Sequence, residues 1–339
     1  MNKILKLSLL NYLLCVGLGL LLTYIISTYG FGSSLLQTSA STRNIYVVMV
    51  DFIISTTVFL LFLRFIPWLG QALIKYLFYF LVLFSVPVLL VYPIFASLTG
   101  SQPFGEMIGF ISAFLVLFIY HKTWYRWFNF WAVLIAVTSA VLIGLQYGFS
   151  FILSYVTFIA VYDYVAVFIT KHMQFLVVAM FDKNERIPQM FITAMGINDI
   201  RKIIAERRLR PPKTRKNKTG KAADLQLLGA GDLVVPGAFA VSMIGISPLL
   251  ALATAFGAFA GLLLNGEVIR SQRISLPAIP LLVAPQIAAS LLYLAAFAGA
   301  ASAPLYIITG VLLVPAVYAL IFYTAKRERD KISLKEQLL

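Results

Sequence analysis

Residues 149–170 read FSFILSYVTFIAVYDYVAVFIT, a run of apolar and hydroxyl-bearing side chains interrupted by a single charge, Asp163. As a helix rising 1.5 Å per residue, such a run crosses the ~30 Å hydrocarbon core of a bilayer. A carboxylate held there costs roughly 2.5–3.5 kcal/mol on insertion scales, so a membrane protein keeps one where it pairs, titrates or lines a water-filled path. A second acid stands in a comparable setting, Leu227-Leu228-Gly229-Ala230-Gly231-Asp232-Leu233-Val234-Val235-Pro236-Gly237. Asp163 and Asp232 together form a candidate site.

The rest of the chain agrees with a membrane setting. Of its 339 residues, 61% are hydrophobic and 12% charged, and the mean hydropathy is +0.92; soluble domains carry about twice that share of charge. A single cysteine, Cys15, permits no intrachain disulfide. The net charge of +14 does not call for nucleic acid, because the basic residues gather in a few loops where they set topology and meet anionic headgroups. The amino-terminal apolar run continues to Ile26 without a convincing cleavage site and reads as a retained span.

Apolar runs long enough to span fall at about 7–28, 45–63, 73–97, 104–120, 128–146, 149–170, 227–246, 248–264, 277–298 and 303–323. Strict polar-apolar alternation is absent, so the expected fold is an all-α polytopic bundle rather than a barrel. Lys and Arg follow the even-numbered runs (Arg64, Lys75; Lys122, Arg126; Arg270, Arg273; Lys326, Arg327, Arg329), whereas Arg43 alone follows an odd one. That alternation predicts a cytoplasmic amino terminus. It also places the loop 171–226, which carries most of the net charge, in the cytoplasm. The organisation expected is a six-span bundle over 1–170, a basic loop over 171–226, four carboxy-terminal spans over 227–323 and a polar cytoplasmic tail over 324–339. Within the loop, 196–206 reads as a short surface helix and 203–226 as mobile linker.

Asp163 lies near the cytoplasmic end of the sixth run and Asp232 near the cytoplasmic start of the seventh, so opposite chain directions bring both to similar depth. Two carboxyls that close cannot both ionise cheaply; they share a proton, and one can activate water while the other protonates the scissile carbonyl. Gly229 and Gly231 let a second backbone approach the acid closely. A third element, Leu276-Pro277-Ala278-Ile279-Pro280, opens the ninth run with two prolines that disturb a regular first turn. Backbone groups at that break can pair with an unwound substrate strand; a plain proline helix start is the other reading. From chemistry alone, shared-proton hydrolysis, an ion- or proton-coupled transporter or channel, and simple interhelical polar contacts all stand.

In this order, the three elements resemble the presenilin and signal-peptide-peptidase family of intramembrane aspartyl proteases, in particular its archaeal members. That family carries Tyr-Asp in span six, Gly-x-Gly-Asp in span seven and Pro-Ala-Leu before span nine. The matching residues are Tyr162-Asp163, Gly229-Ala230-Gly231-Asp232 and Pro277-Ala278-Ile279, with Thr170-Lys171-His172-Met173 also similar to the archaeal branch. The resemblance implies a presenilin-like bundle with Asp163 and Asp232 catalytic and with Tyr162, Gly229, Ala230, Gly231, Pro277, Ala278 and Ile279 as motif or substrate-binding residues. It further implies transmembrane segments or remnant signal peptides as substrates, and no metal, cofactor or nucleic acid; an accessory subunit is not implied. Three departures stand out: Ala230 and Ile279 replace leucines of the pattern, and 303–323 adds a tenth span to the family's nine.

Other intramembrane residues carry less. Asp51 reads as a polar contact on the outer side, Glu106 as interfacial, and His121 and His172 as cytoplasmic-side juxtamembrane residues. With two histidines and one cysteine, a His-Glu-x-x-His metal centre has no ligands. Trp124, Tyr125, Trp127 and Trp131 read as an aromatic belt.

Overall fold

The computed structural model describes residues 3–28, 45–65, 99–123, 128–147, 149–170, 191–192, 228–229, 231–272, 276–297 and 303–338, with isolated positions between 76 and 95. The helices are α1 (Lys3–Thr28), α2 (Ile45–Phe65), α3 (Gln102–Thr123), α4 (Phe128–Gln146), α5 (Phe149–Tyr164), α6 (Gly231–Ser242), α7 (Pro248–Gln272), α8 (Ala278–Phe297) and α9 (Ala303–Leu338). One antiparallel pair of two-residue strands joins β1 (Phe191–Ile192) to β2 (Leu228–Gly229), with Phe191 opposite Gly229. Most of the expected span 73–97, the surface helix 196–206 and the linker 203–226 lie outside the described residues.

The protein is an all-α bundle. Among the described residues, five helical stretches are long and apolar enough to cross a membrane: Pro103–Thr123, Phe151–Ile169, Pro248–Gly266, Ala278–Phe297 and Pro304–Glu328. Their outer faces carry exposed Phe110, Phe114, Phe256 and Leu312, as expected where lipid rather than water is the solvent. The breaks that are faint in hydropathy are tight turns. Tyr147 N–H donates to the Ile143 carbonyl just before α5 begins, and Ser247 N–H donates to Met243 just before α7 begins at Pro248. A proline costs nothing at that first helical position, where its missing N–H has no partner anyway.

The seventh apolar run departs from expectation. It was expected as a helix over 227–246, yet Leu228–Gly229 is extended and paired with β1, and helix begins only at Gly231. Glycine is a poor helix former, so the Gly-x-Gly stretch yields to the strand pairing. The resulting α6 has 12 residues and sits at the centre of the bundle, with Leu233, Phe239 and Ala240 fully buried. It packs with α1, α4 and α7 in one apolar cluster and with α5, α7 and α8 in another.

Helices α7 and α8 approach most closely at Gly257 and Gly261. A Cβ on Gly257 would meet the Pro285 carbonyl oxygen at 2.5 Å, and one on Gly261 would meet that of Leu281 at 2.5 Å. Small residues four apart let two backbones come into contact, the packing that drives association in lipid. Buried hydroxyls stitch the same seam: Thr254 and Ser290 are 2.8 Å apart, and Ser290 donates to the Gln286 carbonyl. Tyr12 adds a bond from α1 to the Ala255 carbonyl at 3.0 Å.

Trp131 is not part of an aromatic belt. It is buried, edge-on to Tyr120 at 5.2 Å, and its indole N–H donates to the Thr123 hydroxyl at 3.2 Å. The α3–α4 corner supplies an apolar slot with one acceptor, which satisfies the indole as well as an interface does. Trp124, Tyr125 and Trp127 lie outside the described residues. Helix α9, 36 residues long, measures about 54 Å at 1.5 Å per residue, so it extends past the hydrocarbon core at its charged carboxy-terminal end.

Candidate active site

Asp163 is buried in the last turn of α5. Immediately after it the backbone widens into a π-helical segment, Val165–Ile169, closed by Thr170 N–H donating to the Val165 carbonyl at 2.9 Å. Such i→i+5 turns are rare and recur at functional positions. The carboxylate is met from the opposite direction by the first turn of α8. Ile279 N–H donates to Asp163 Oδ2 at 3.1 Å, and the Ala278 N–H also bears on the carboxylate. The first N–H groups of a helix have no intrahelical acceptor and carry the positive end of its dipole. Asp163 supplies the missing acceptor.

Asp232 occupies the first turn of α6. Its Oδ2 accepts the Gly229 N–H at 2.9 Å, so the acid turns back over the strand that leads into its own helix. A Cβ on Gly229 would lie 3.2 Å from that same oxygen, whereas a Cβ on Gly231 would meet nothing within 4 Å. The two glycines therefore do different things: Gly229 makes room for the acid, and Gly231 leaves exposed space beside it. Asp163 and Asp232 are electrostatic neighbours. The end of α5 and the start of α6 thus bring two carboxyls within electrostatic range of each other, each held by backbone N–H groups.

The remaining expected residues divide. Pro277 is buried directly before α8, and Ile279 contributes a buried side chain to the α5–α6–α8 cluster as well as its N–H. Tyr162 packs toward α2, edge-on to Phe52 at 5.2 Å and hydrogen-bonded to Thr56. Glu106 and His121 are exposed toward the two ends of α3. Ala230, His172 and the Asp51 side chain lie outside the described residues. Among those described, no three His, Cys, Asp or Glu side chains gather in a group able to hold a metal ion.

The structure adds three side chains that the sequence reading passed over. Gln286, in the middle of α8, donates to the Pro236 carbonyl of α6 at 2.7 Å and ties the two helices whose first turns meet the acids. Tyr318 and Thr324 of α9 bond to the Leu281 carbonyl and to the Tyr164 hydroxyl. A lone glutamine in an apolar run is conspicuous by the rule that singled out the aspartates; the two α9 hydroxyls carry no such signal.

With this geometry in place, comparison with known families is direct. A family model described as signal-peptide peptidase, presenilin aspartyl protease, matches residues 11–300, while no curated protein gives a match. The chain belongs to this family of aspartyl proteases, and its place there favours proteolysis over the transport reading.

Proposed function

We propose that Asp163 and Asp232 are the catalytic pair of an intramembrane-cleaving endopeptidase whose substrates are transmembrane segments or remnant signal peptides. The observation that carries the reading is a pair of carboxyls in electrostatic range at the end of α5 and the start of α6, each held by backbone donors. Held close in a setting poor in water, the pair retains one shared proton that belongs to both residues. The ionised partner takes a proton from water as that water attacks the scissile carbonyl carbon. The protonated partner donates to the carbonyl oxygen, and the roles then reverse to protonate the departing amine.

A helical substrate has its peptide bonds locked in its own ladder and must unwind before it is cut. Leu228–Gly229, already extended beside Asp232 with its Gly229 N–H given to that acid, puts a strand backbone next to such an unwound segment, and the open side of Gly231 gives it room. The donors of Ala278 and Ile279 are likewise occupied, by Asp163, so in this reading Pro-Ala-Ile acts through the acid. Tyr162 braces α5 against α2. Pro277 sets where α8 begins.

The same reading assigns nine family spans plus α9 as a tenth, with the amino terminus, the 171–226 loop and the 324–339 tail cytoplasmic. Residues 1–170 form the six-span unit that ends in Asp163, and 227–323 the unit that opens with Asp232. The alternation of basic loops supports this orientation. A cysteine introduced at Lys331 and labelled only from the outer side would overturn it.

Cleavage of a labelled transmembrane peptide by purified protein, with product masses read out, tests the catalytic assignment. Asp163→Asn and Asp232→Asn are each expected to assemble and to lose turnover, because an amide neither takes nor gives the proton. Wild-type-like turnover in either variant would sink the pair. Gradient-driven solute flux without peptide cleavage would restore the transport reading.

A further inference from the structure

We propose that α9, which lies beyond the matched family residues, is a positioning element of the reaction, clamping the Asp163 turn onto the first turn of α8 through Thr324 and Tyr318. The inference rests on the catalytic reading of Asp163. The bond from Ile279 N–H to Asp163 joins residues 116 apart in sequence, so no local feature of either helix fixes its length. Helix α9 touches both sides. Thr324 Oγ1 lies 2.9 Å from the hydroxyl of Tyr164, the residue after Asp163. Ile321 and Ala325 pack with Val167, Phe168 and Leu281, with Leu276, which precedes Pro277, against the same cluster.

Tyr318 supplies the second grip. Pro285 has no N–H to give the Leu281 carbonyl four residues before it. The Tyr318 hydroxyl donates to that carbonyl at 2.9 Å and lies 3.2 Å from the Gly261 carbonyl of α7. In a bilayer interior no water is at hand to satisfy an orphaned carbonyl. One carbonyl in the first turns of α8, which meet Asp163, therefore takes its hydrogen bond from α9. Tyr318, Ile321, Thr324 and Ala325 share one helical face, while Leu312, Leu320 and Tyr323 are exposed. A helix serving only as a lipid anchor has no need of hydroxyl partners on both sides of an acid.

The test measures kcat, KM and the thermal midpoint of the full-length protein in proteoliposomes on one labelled transmembrane peptide. The variants are Tyr318→Phe, Thr324→Val, Thr324→Ser, and Thr254→Val as the loss of a buried hydroxyl on α7 that faces Ser290 of α8. A displacement near 1 Å costs about 100-fold in rate, so a shift of a few tenths is expected to lower kcat about fivefold. Tyr318→Phe and Thr324→Val should each show that loss with KM within about twofold, and Thr324→Ser should restore it, since only the hydroxyl is needed. Thr254→Val should lower the midpoint and leave kcat in place. Wild-type kcat in both Tyr318→Phe and Thr324→Val overturns the proposal, as does an equal loss in Thr254→Val. Should Tyr318→Phe fail to fold, the Thr324 pair decides. Asp163→Asn in the same preparation separates the two levels. If it is inactive while the α9 variants turn over normally, only the positioning role fails; if it is active, the catalytic reading fails and the proposal with it.

Discussion

Gly229→Ala offers a small, calculable displacement of one carboxyl. The added Cβ would stand 3.2 Å from Asp232 Oδ2 and 3.5 Å from its Cγ, a few tenths of an ångström inside ordinary contact. The carboxyl gives way by that amount, stretching the 2.9 Å bond from the Gly229 N–H to about 3.1–3.2 Å, still within hydrogen-bonding range. Folding should therefore suffer little, by less than ~1 kcal/mol. The rate should suffer more, because misplacing a reacting group by 1 Å costs about 100-fold and a third of that about fivefold. Gly231→Ala is the paired comparison: its Cβ meets nothing within 4 Å, so the acid stays in place and any effect falls on KM through the substrate's side of the site. Steady-state cleavage of a labelled transmembrane peptide, with thermal midpoints for both variants, separates the two. A wild-type kcat in Gly229→Ala refutes the reasoning. So does a loss beyond about 100-fold in a folded protein, since a shift of a few tenths cannot produce it.

Gly261→Ala drives a methyl to within 2.5 Å of the Leu281 carbonyl; the α7–α8 seam should open at a cost of about 1–3 kcal/mol, read as a lowered thermal midpoint, and kcat should fall because α8 carries the donors to Asp163. Gln286→Met removes the bond to Pro236 but also a buried amide oxygen that has no partner among the described residues, so stability should change by less than ~1.5 kcal/mol; a larger loss would mean the glutamine oxygen is satisfied by bound water. Tyr162→Phe keeps the edge contact with Phe52 and loses the bond to Thr56, so turnover should fall by less than about tenfold, a greater drop implying that the hydroxyl reaches substrate. The kcat–pH profile should be bell-shaped, since the fully protonated pair lacks a base and the fully ionised pair lacks an acid; a rate that climbs to a plateau at high pH would remove the shared proton from the mechanism.

The acids were legible because charge in hydrocarbon is rare. A chain with 13 acidic residues in 339 displays Asp163 and Asp232 openly, and run length alone located the starts of α5, α7, α8 and α9, although α7 and α9 run on as helix to Gln272 and Leu338. What the sequence hid was whatever depends on partners distant along the chain. The seventh run looks helical from 227 because Leu228 and Gly229 are apolar, and only pairing with Phe191–Ile192 reveals a strand. Trp131 looks interfacial until α3 is seen to supply Thr123 as its acceptor. Tyr318 is one tyrosine among 17; its meaning comes from the carbonyl that Pro285 orphans on another helix.

The manner in which the acids are held explains why the motif residues are what they are. Neither carboxyl depends on a polar side chain for the hydrogen bond that positions it; Gly229 and Ile279 both give backbone N–H groups. The motifs therefore constrain backbone shape more than side-chain chemistry. Gly229 must stay small because its own N–H faces the acid, and Pro277 must begin a helix so that the next two amides point outward unpaired. Isoleucine at 279 in place of the family's leucine leaves that N–H untouched and fills a buried pocket with nearly the same volume. Substituting Ile279→Val should accordingly cost about 0.5–1.5 kcal/mol of stability while kcat stays within about twofold. Ile279→Pro should instead reduce kcat by tenfold or more, the loss of a charge-assisted bond worth about 1.5–3 kcal/mol, although proline is otherwise tolerated in a first helical turn. Equal rates for the two variants would show that the Ile279 amide does not hold Asp163 in place.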